Sequence, residues 1–91
     1  MVIRYFAFLR DITGTGEQVW NQPAACLNDL LQGLSRRYGA GFRRWIFEPD
    51  GRISQSSIIL VNGRDARELQ GLDTPLKPGD VIAIFPPVAG G

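Results

Sequence analysis

The chain closes with Pro86-Pro87-Val88-Ala89-Gly90-Gly91, and the group there best suited to chemistry is the terminal carboxylate of Gly91. Gly90 and Gly91 lack Cβ atoms, so such an end can thread a channel that rejects side chains. Pro86-Pro87 favours an extended polyproline backbone, which makes Pro87, Val88 and Ala89 part of a short stiff stalk. A carboxylate is a poor acyl donor until one of its oxygens becomes a leaving group. Adenylation by ATP achieves that, and a sulfur nucleophile can then convert the acyl adenylate to a thiocarboxylate. The expected layout is a folded domain over residues 1–85 carrying an extended tail over 86–91.

Other chemistry is poorly supplied. The chain has no histidine, which removes Ser-His and Cys-His dyads together with the commonest metal ligand. One cysteine, Cys26, excludes an internal disulfide and agrees with a reducing compartment. It reads better as a small residue at a helix start than as a persulfide carrier. Asp11, Glu17, Asp29, Glu48, Asp50, Asp65, Glu68, Asp73 and Asp80 show no paired pattern, so neither a catalytic acid or base nor a metal site is expected. Gly14-Thr15-Gly16 and Gly39-Ala40-Gly41 lack the remainder of any phosphate-loop motif and read as turns. Such a protein is a substrate for other enzymes rather than an enzyme.

A net charge of +1 gives no strong field for nucleic acid or anionic membrane. Arg36, Arg37, Arg43 and Arg44 therefore read as a solvated helical face in preference to an RNA contact. The longest aliphatic run, Ile58-Ile59-Leu60-Val61, is far too short to span a bilayer, and no signal-peptide core opens the chain. A cytoplasmic protein is expected.

The elements that must position the tail follow from periodicity. Residues 2–9 alternate as a strand, with Ile3, Tyr5, Ala7 and Leu9 on one parity and Arg4, Phe6 and Phe8 on the other. Arginine is expensive to bury, so the Arg4 face should be the outer one, leaving Phe6 exposed as a docking residue. For Phe8, cover by the helix or a loop is equally open. Residues 10–16 read as a turn and 17–20 as a second strand. Leu27, Leu30, Leu31, Leu34 and Tyr38 form an amphipathic helical stripe that starts near Cys26 or Asn28 and stops at Gly39. Residues 42–47 read as a helical turn or irregular segment, and Pro49-Asp50-Gly51 as a turn.

Residues 57–61 read as the most buried strand. Asn62-Gly63 is a strong two-residue hairpin signal, and 64–67 a short edge strand. Residues 72–76 suggest a tight turn or 3₁₀ segment, and Lys77-Pro78-Gly79-Asp80 another turn. Residues 81–85 are the last strand, ended by Pro86-Pro87. The order predicts an α+β roll: a mixed sheet of about five strands with one main helix on one face. The first and last strands should pair in parallel at its centre. Ile82 and Ile84 would then face the core, and Phe85 would lie outside beside Phe6.

Taken together, Arg4-Tyr5-Phe6-Ala7, Arg10-Asp11, Asp29-Leu30-Leu31, Val61-Asn62-Gly63, Pro78-Gly79-Asp80 and the ending from Ala83 to Gly91 carry a resemblance. The sequence resembles the MoaD/ThiS family of β-grasp (ubiquitin-like) sulfur carriers over essentially its whole length. Its ending is most similar to the small subunit of molybdopterin synthase. The resemblance implies no bound cofactor. It implies adenylation of Gly91 by a ubiquitin-activating-type adenylyltransferase that consumes ATP, and a 1-thioglycine at Gly91 when loaded. It further implies that the tail enters the large subunit of molybdopterin synthase to deliver sulfur for molybdenum or tungsten cofactor. It makes Phe6 and Phe85 the docking patch and Arg10 a partner contact. Sulfur transfer towards cysteine, thiamine or tRNA thiolation, and isopeptide modification of proteins, stand as alternatives.

Overall fold

A computed structural model describes residues 1–87, and residues 88–91 lie outside the described part. Five strands form one mixed sheet in the order β2-β1-β5-β3-β4. They are β1 (Val2–Tyr5), β2 (Glu17–Val19), β3 (Ile58–Val61), β4 (Arg64–Asp65) and β5 (Val81–Phe85). The first and last strands run parallel at the centre, with Ile3 opposite Ile82 and Tyr5 opposite Ile84. β5 also pairs antiparallel with β3, and β1 with β2.

The main helix, α2 (Leu27–Tyr38), buries Leu27, Leu30, Leu31 and Leu34 against one sheet face. Its stripe meets Ile3, Tyr5, Ile59, Ile82 and Ile84, the inward parity of three strands. This burial, about 25 cal/mol per Å² of apolar surface, is the main stabilising term. Cys26 is the N-cap residue, with no side-chain cap of its own, and the Asp29 carboxylate accepts from the Ala25 N–H at 3.1 Å. Gly33 sits on the buried face because the Trp20 ring lies against it: a Cβ there would be 3.0 Å from the indole.

Several expectations are corrected. The strand expected over 2–9 stops at Tyr5, because Ala7 adopts a left-handed backbone (φ 52°) that turns the chain. The turn expected over 10–16 is replaced in its first half by α1 (Leu9–Thr13), capped by Gly14 at φ 79°. Leu9 is buried through that helix, not through strand parity. The segment from Phe42, read as a helical turn or irregular, is helical and longer than expected: α3 (Ala40–Ile46) follows α2 directly and buries Phe42 and Ile46 one helical turn apart.

The edge strand expected over 64–67 shortens to Arg64–Asp65. The Asp65 carboxylate then accepts from the Arg67 N–H and starts a 3₁₀ turn, Ala66–Glu68. Finally, β3 is not the most buried strand: Ile58 is 46% exposed, since its parity points it away from the face that packs on α2. The Asn62-Gly63 turn does join β3 to β4, with both residues at positive φ as a two-residue hairpin needs.

Candidate functional site

The site is assembled where β5 ends. The Phe6 N–H donates to the Ile84 carbonyl at 3.2 Å, which extends the parallel ladder one residue beyond β1. This contact sets the Phe6 ring beside Phe85, with centroids 4.1 Å apart and planes 12° from parallel. Both rings are partly exposed, whereas the neighbouring Tyr5 and Ile84 point inward and are buried. Parity therefore places the stack on the outer face. Offset ring pairs of this kind are worth about 0.5–1.5 kcal/mol beyond area burial.

Arg10, in the first turn of α1, joins the pair. Its Nε donates to the Tyr5 carbonyl at 3.2 Å, and its guanidinium carbon lies 5.9 Å from the Phe6 centroid. The fold thus brings Phe6 and Phe85 together, as the sequence led one to expect, and adds Arg10 beside Phe6. Ile58 was missed. It stands opposite Phe85 in the β3–β5 register and extends the apolar row. Its signal was the parity it shares with Leu60, hidden by reading the strand as buried on both faces. Behind this row lie Leu60, Ala83 and Arg4, the last ion-paired to Glu17 at 2.9 Å. Being exposed, that pair adds little stability.

Phe8 resolves the alternative left open above. The reversal at Ala7 carries it round the end of the sheet, where its ring meets Trp45 of α3 edge-on at 4.9 Å. The Ser57 hydroxyl donates to the Trp45 carbonyl, which pins that end of α3 beside the start of β3. Beyond Phe85, Pro86 is buried and Pro87 partly buried. Val88, Ala89, Gly90 and Gly91 lie outside the described residues.

The perturbed titrating groups are structural. The Tyr5 hydroxyl donates to Gln18 Oε1 at 2.6 Å, and the Tyr38 hydroxyl donates to the same oxygen. Burial, reinforced by Tyr38, raises the Tyr5 phenol far above its ordinary value and keeps it neutral. At the opposite end of β5 the Asp80 carboxylate accepts from Asn62 Nδ2 at 3.0 Å and from the Lys77 N–H at 2.9 Å. The Asn62 bond, chiefly, lowers its pKa. Among the described residues no three metal-ligating side chains converge, and no helix is long and apolar enough to cross a membrane.

A mixed roll with one long helix laid across it, and a central strand running into a Pro-Pro-initiated C-terminal segment, defines the ubiquitin-like β-grasp class. The chain belongs to the ThiS family, whose model matches residues 3–91. It is 36% identical over 90 residues to small archaeal modifier protein 3 of Haloferax volcanii, covering 98% of this chain and 96% of that one. To the sulfur carrier protein CysO of Mycobacterium tuberculosis it is 32% identical over 85 residues, 91% and 89% of the two chains. A solved structure from Pyrococcus furiosus, a putative molybdopterin converting factor subunit 1, superposes with a TM-score of 0.73 at 32% identity. That match covers 96% of this chain and 95% of the other. The protein is thus a ubiquitin-like sulfur carrier or modifier.

Proposed function

We propose that this protein carries sulfur as a thiocarboxylate on Gly91 and docks on its partners through Phe6, Phe85 and Arg10. One observation carries the reading: the central strand ends at Phe85, inside the stacked aromatic pair, and only Pro86 and Pro87 separate it from the last four residues. A partner that grips the rings is thereby placed to receive the tail.

The chemistry balances simply. A carboxylate oxygen of Gly91 attacks the α-phosphorus of ATP held by an adenylyltransferase of ubiquitin-activating type, and pyrophosphate leaves. A sulfide equivalent then attacks the acyl carbon, and AMP departs with the bonding pair, leaving a thiocarboxylate. Val88 and Ala89 lead into Gly90, which with Gly91 carries no side chain to obstruct that end. The acceptor in this reading is the large subunit of a molybdopterin-synthase-like enzyme. The Pro-Pro-Val-Ala-Gly-Gly ending and the similarity to the Pyrococcus furiosus protein support it.

A second reading shares the adenylate but differs in the acceptor: conjugation to proteins, or sulfur delivery to another pathway. The names of the Haloferax volcanii and Mycobacterium tuberculosis relatives favour it. Lys77, the single lysine, makes lysine-linked chain growth unfavourable but leaves single conjugation open. ATP–pyrophosphate exchange with the host's activating enzyme tests the shared step. Exchange should be supported by the wild-type chain and abolished on deleting Gly91, with thermal unfolding unchanged. Equal exchange by the truncated chain would refute the role of Gly91.

A further inference from the structure

We infer that the C-terminal half of α3, with Phe8, forms a second contact patch that receives an acidic rim of the enzyme adenylating Gly91. The inference rests on the carrier reading above. Residues 30–47 contain Arg36, Arg37, Arg43 and Arg44 and no carboxylate, whereas the rest of the chain has six cations against nine carboxylates. None of these four arginines is ion-paired among the described residues; the three pairs found there use Arg4, Arg52 and Arg67.

Two of the four stack on aromatic rings at the C-terminal end of α3. The Arg44 guanidinium stacks 4.8 Å from the Trp45 ring, and Trp45 packs on Phe8, two residues beyond Phe6. Arg43 stacks 4.6 Å from Phe47 and donates from Nη1 to Gln32 Oε1 at 2.7 Å. Both line a shallow cleft of about 380 Å³ closed by Pro49. The one carboxylate there, Glu48, accepts from the Gln55 N–H at 3.1 Å. Stacking on aromatic faces leaves guanidinium edges free to fork onto carboxylates. Arg36 instead lies beside Gly33 and Trp20 on α2, and Arg37 stacks 5.6 Å from the Tyr38 ring; neither lines that cleft. The arginines thus divide into a pair that lines the cleft, with Arg44 joined to Phe8 through Trp45, and a pair on α2 that does not line it. The apolar Phe8–Trp45 contact, two residues along the chain from Phe6, favours an acidic protein over RNA.

The experiment measures ATP–pyrophosphate exchange with the purified activating enzyme at rising concentrations of carrier. Arg43→Glu/Arg44→Glu should raise KM about tenfold with kcat little changed, and Arg43→Gln/Arg44→Gln should raise it less. Wild-type KM should climb between about 0.05 and 0.3 M salt, and the glutamine variant should respond less. Arg36→Glu/Arg37→Glu changes net charge equally and should leave KM near wild type. Equal effects of the two reversed pairs, or none from the first, would overturn the inference while leaving the carrier reading intact. No exchange with wild-type protein would instead remove the carrier reading, and this inference with it. A gel shift of wild-type protein with total tRNA, lost in Arg43→Glu/Arg44→Glu while KM stays constant, would assign the face to RNA and equally overturn it. Thermal unfolding of each variant confirms that the fold is kept.

Discussion

Removing the Phe6 and Phe85 rings singly and together separates a docking surface from a core. A fully buried phenylalanine costs about 3–5 kcal/mol on truncation to alanine. Here each ring is partly exposed on the sheet face opposite α2, so each loss should be about 1–2 kcal/mol. That corresponds to a fall in melting temperature of about 4–8 °C per kcal/mol for a domain of this size. Because the rings stack at 4.1 Å, the double variant should lose less than the sum of the singles, by about 0.5–1.5 kcal/mol. Partner affinity should suffer more, by about 2 kcal/mol or above for either ring, since exposed aromatics at the centre of an interface act as anchors. Urea unfolding gives the stability cycle, and titration calorimetry against the activating enzyme gives the binding cycle. A stability loss larger than the binding loss would refute the placement of the rings as a docking pair. A coupling energy of zero would refute the stack.

Gly33→Ala should gain about 1 kcal/mol of helix propensity yet lose about as much or more to crowding of Trp20, so urea unfolding should show no net stabilisation. A clear gain would mean that the indole yields freely. Asp80 is held below its ordinary pKa in the fold, chiefly by Asn62, so its contribution is complete above the unfolded value of about 4 and lost as pH falls through the lower folded value. Acid unfolding followed by circular dichroism should therefore be shallower below about pH 4 in Asp80→Asn; parallel curves would contradict this. Tyr5 has the opposite sign: a phenol raised in the fold contributes stability below about pH 10 and loses it as pH rises further. Tyr5→Phe should flatten the alkaline limb, and an unchanged limb would place the lost stability elsewhere.

Much of this architecture could be read without coordinates, where local chemistry and tertiary packing agree. Asn62-Gly63 tolerates positive φ at both positions, so the hairpin was legible. The leucine spacing of α2 and the isoleucine parity of β5 located the core, and parity with the expected parallel pairing of the first and last strands predicted the Phe6–Phe85 contact. The failures lie where context overrides local preference. Ala7 holds a conformation usually left to glycine, so nothing in its type announced the end of β1 or the helix beyond it. α3 carries only Phe42 and Ile46 inward among arginines and glycine, too few apolar positions to establish a period. Ile58 was misplaced because a run of four aliphatic residues looks buried on both faces until one knows which parity faces the core.

The central claim concerns the last residue, and the intact mass of the protein isolated from its host tests it most directly. The expected species is heavier by the exchange of one oxygen for sulfur, with the change confined to the C-terminal peptide. Its persistent absence, even after incubation with ATP, the activating enzyme and a sulfur source, would contradict thiocarboxylate formation on Gly91.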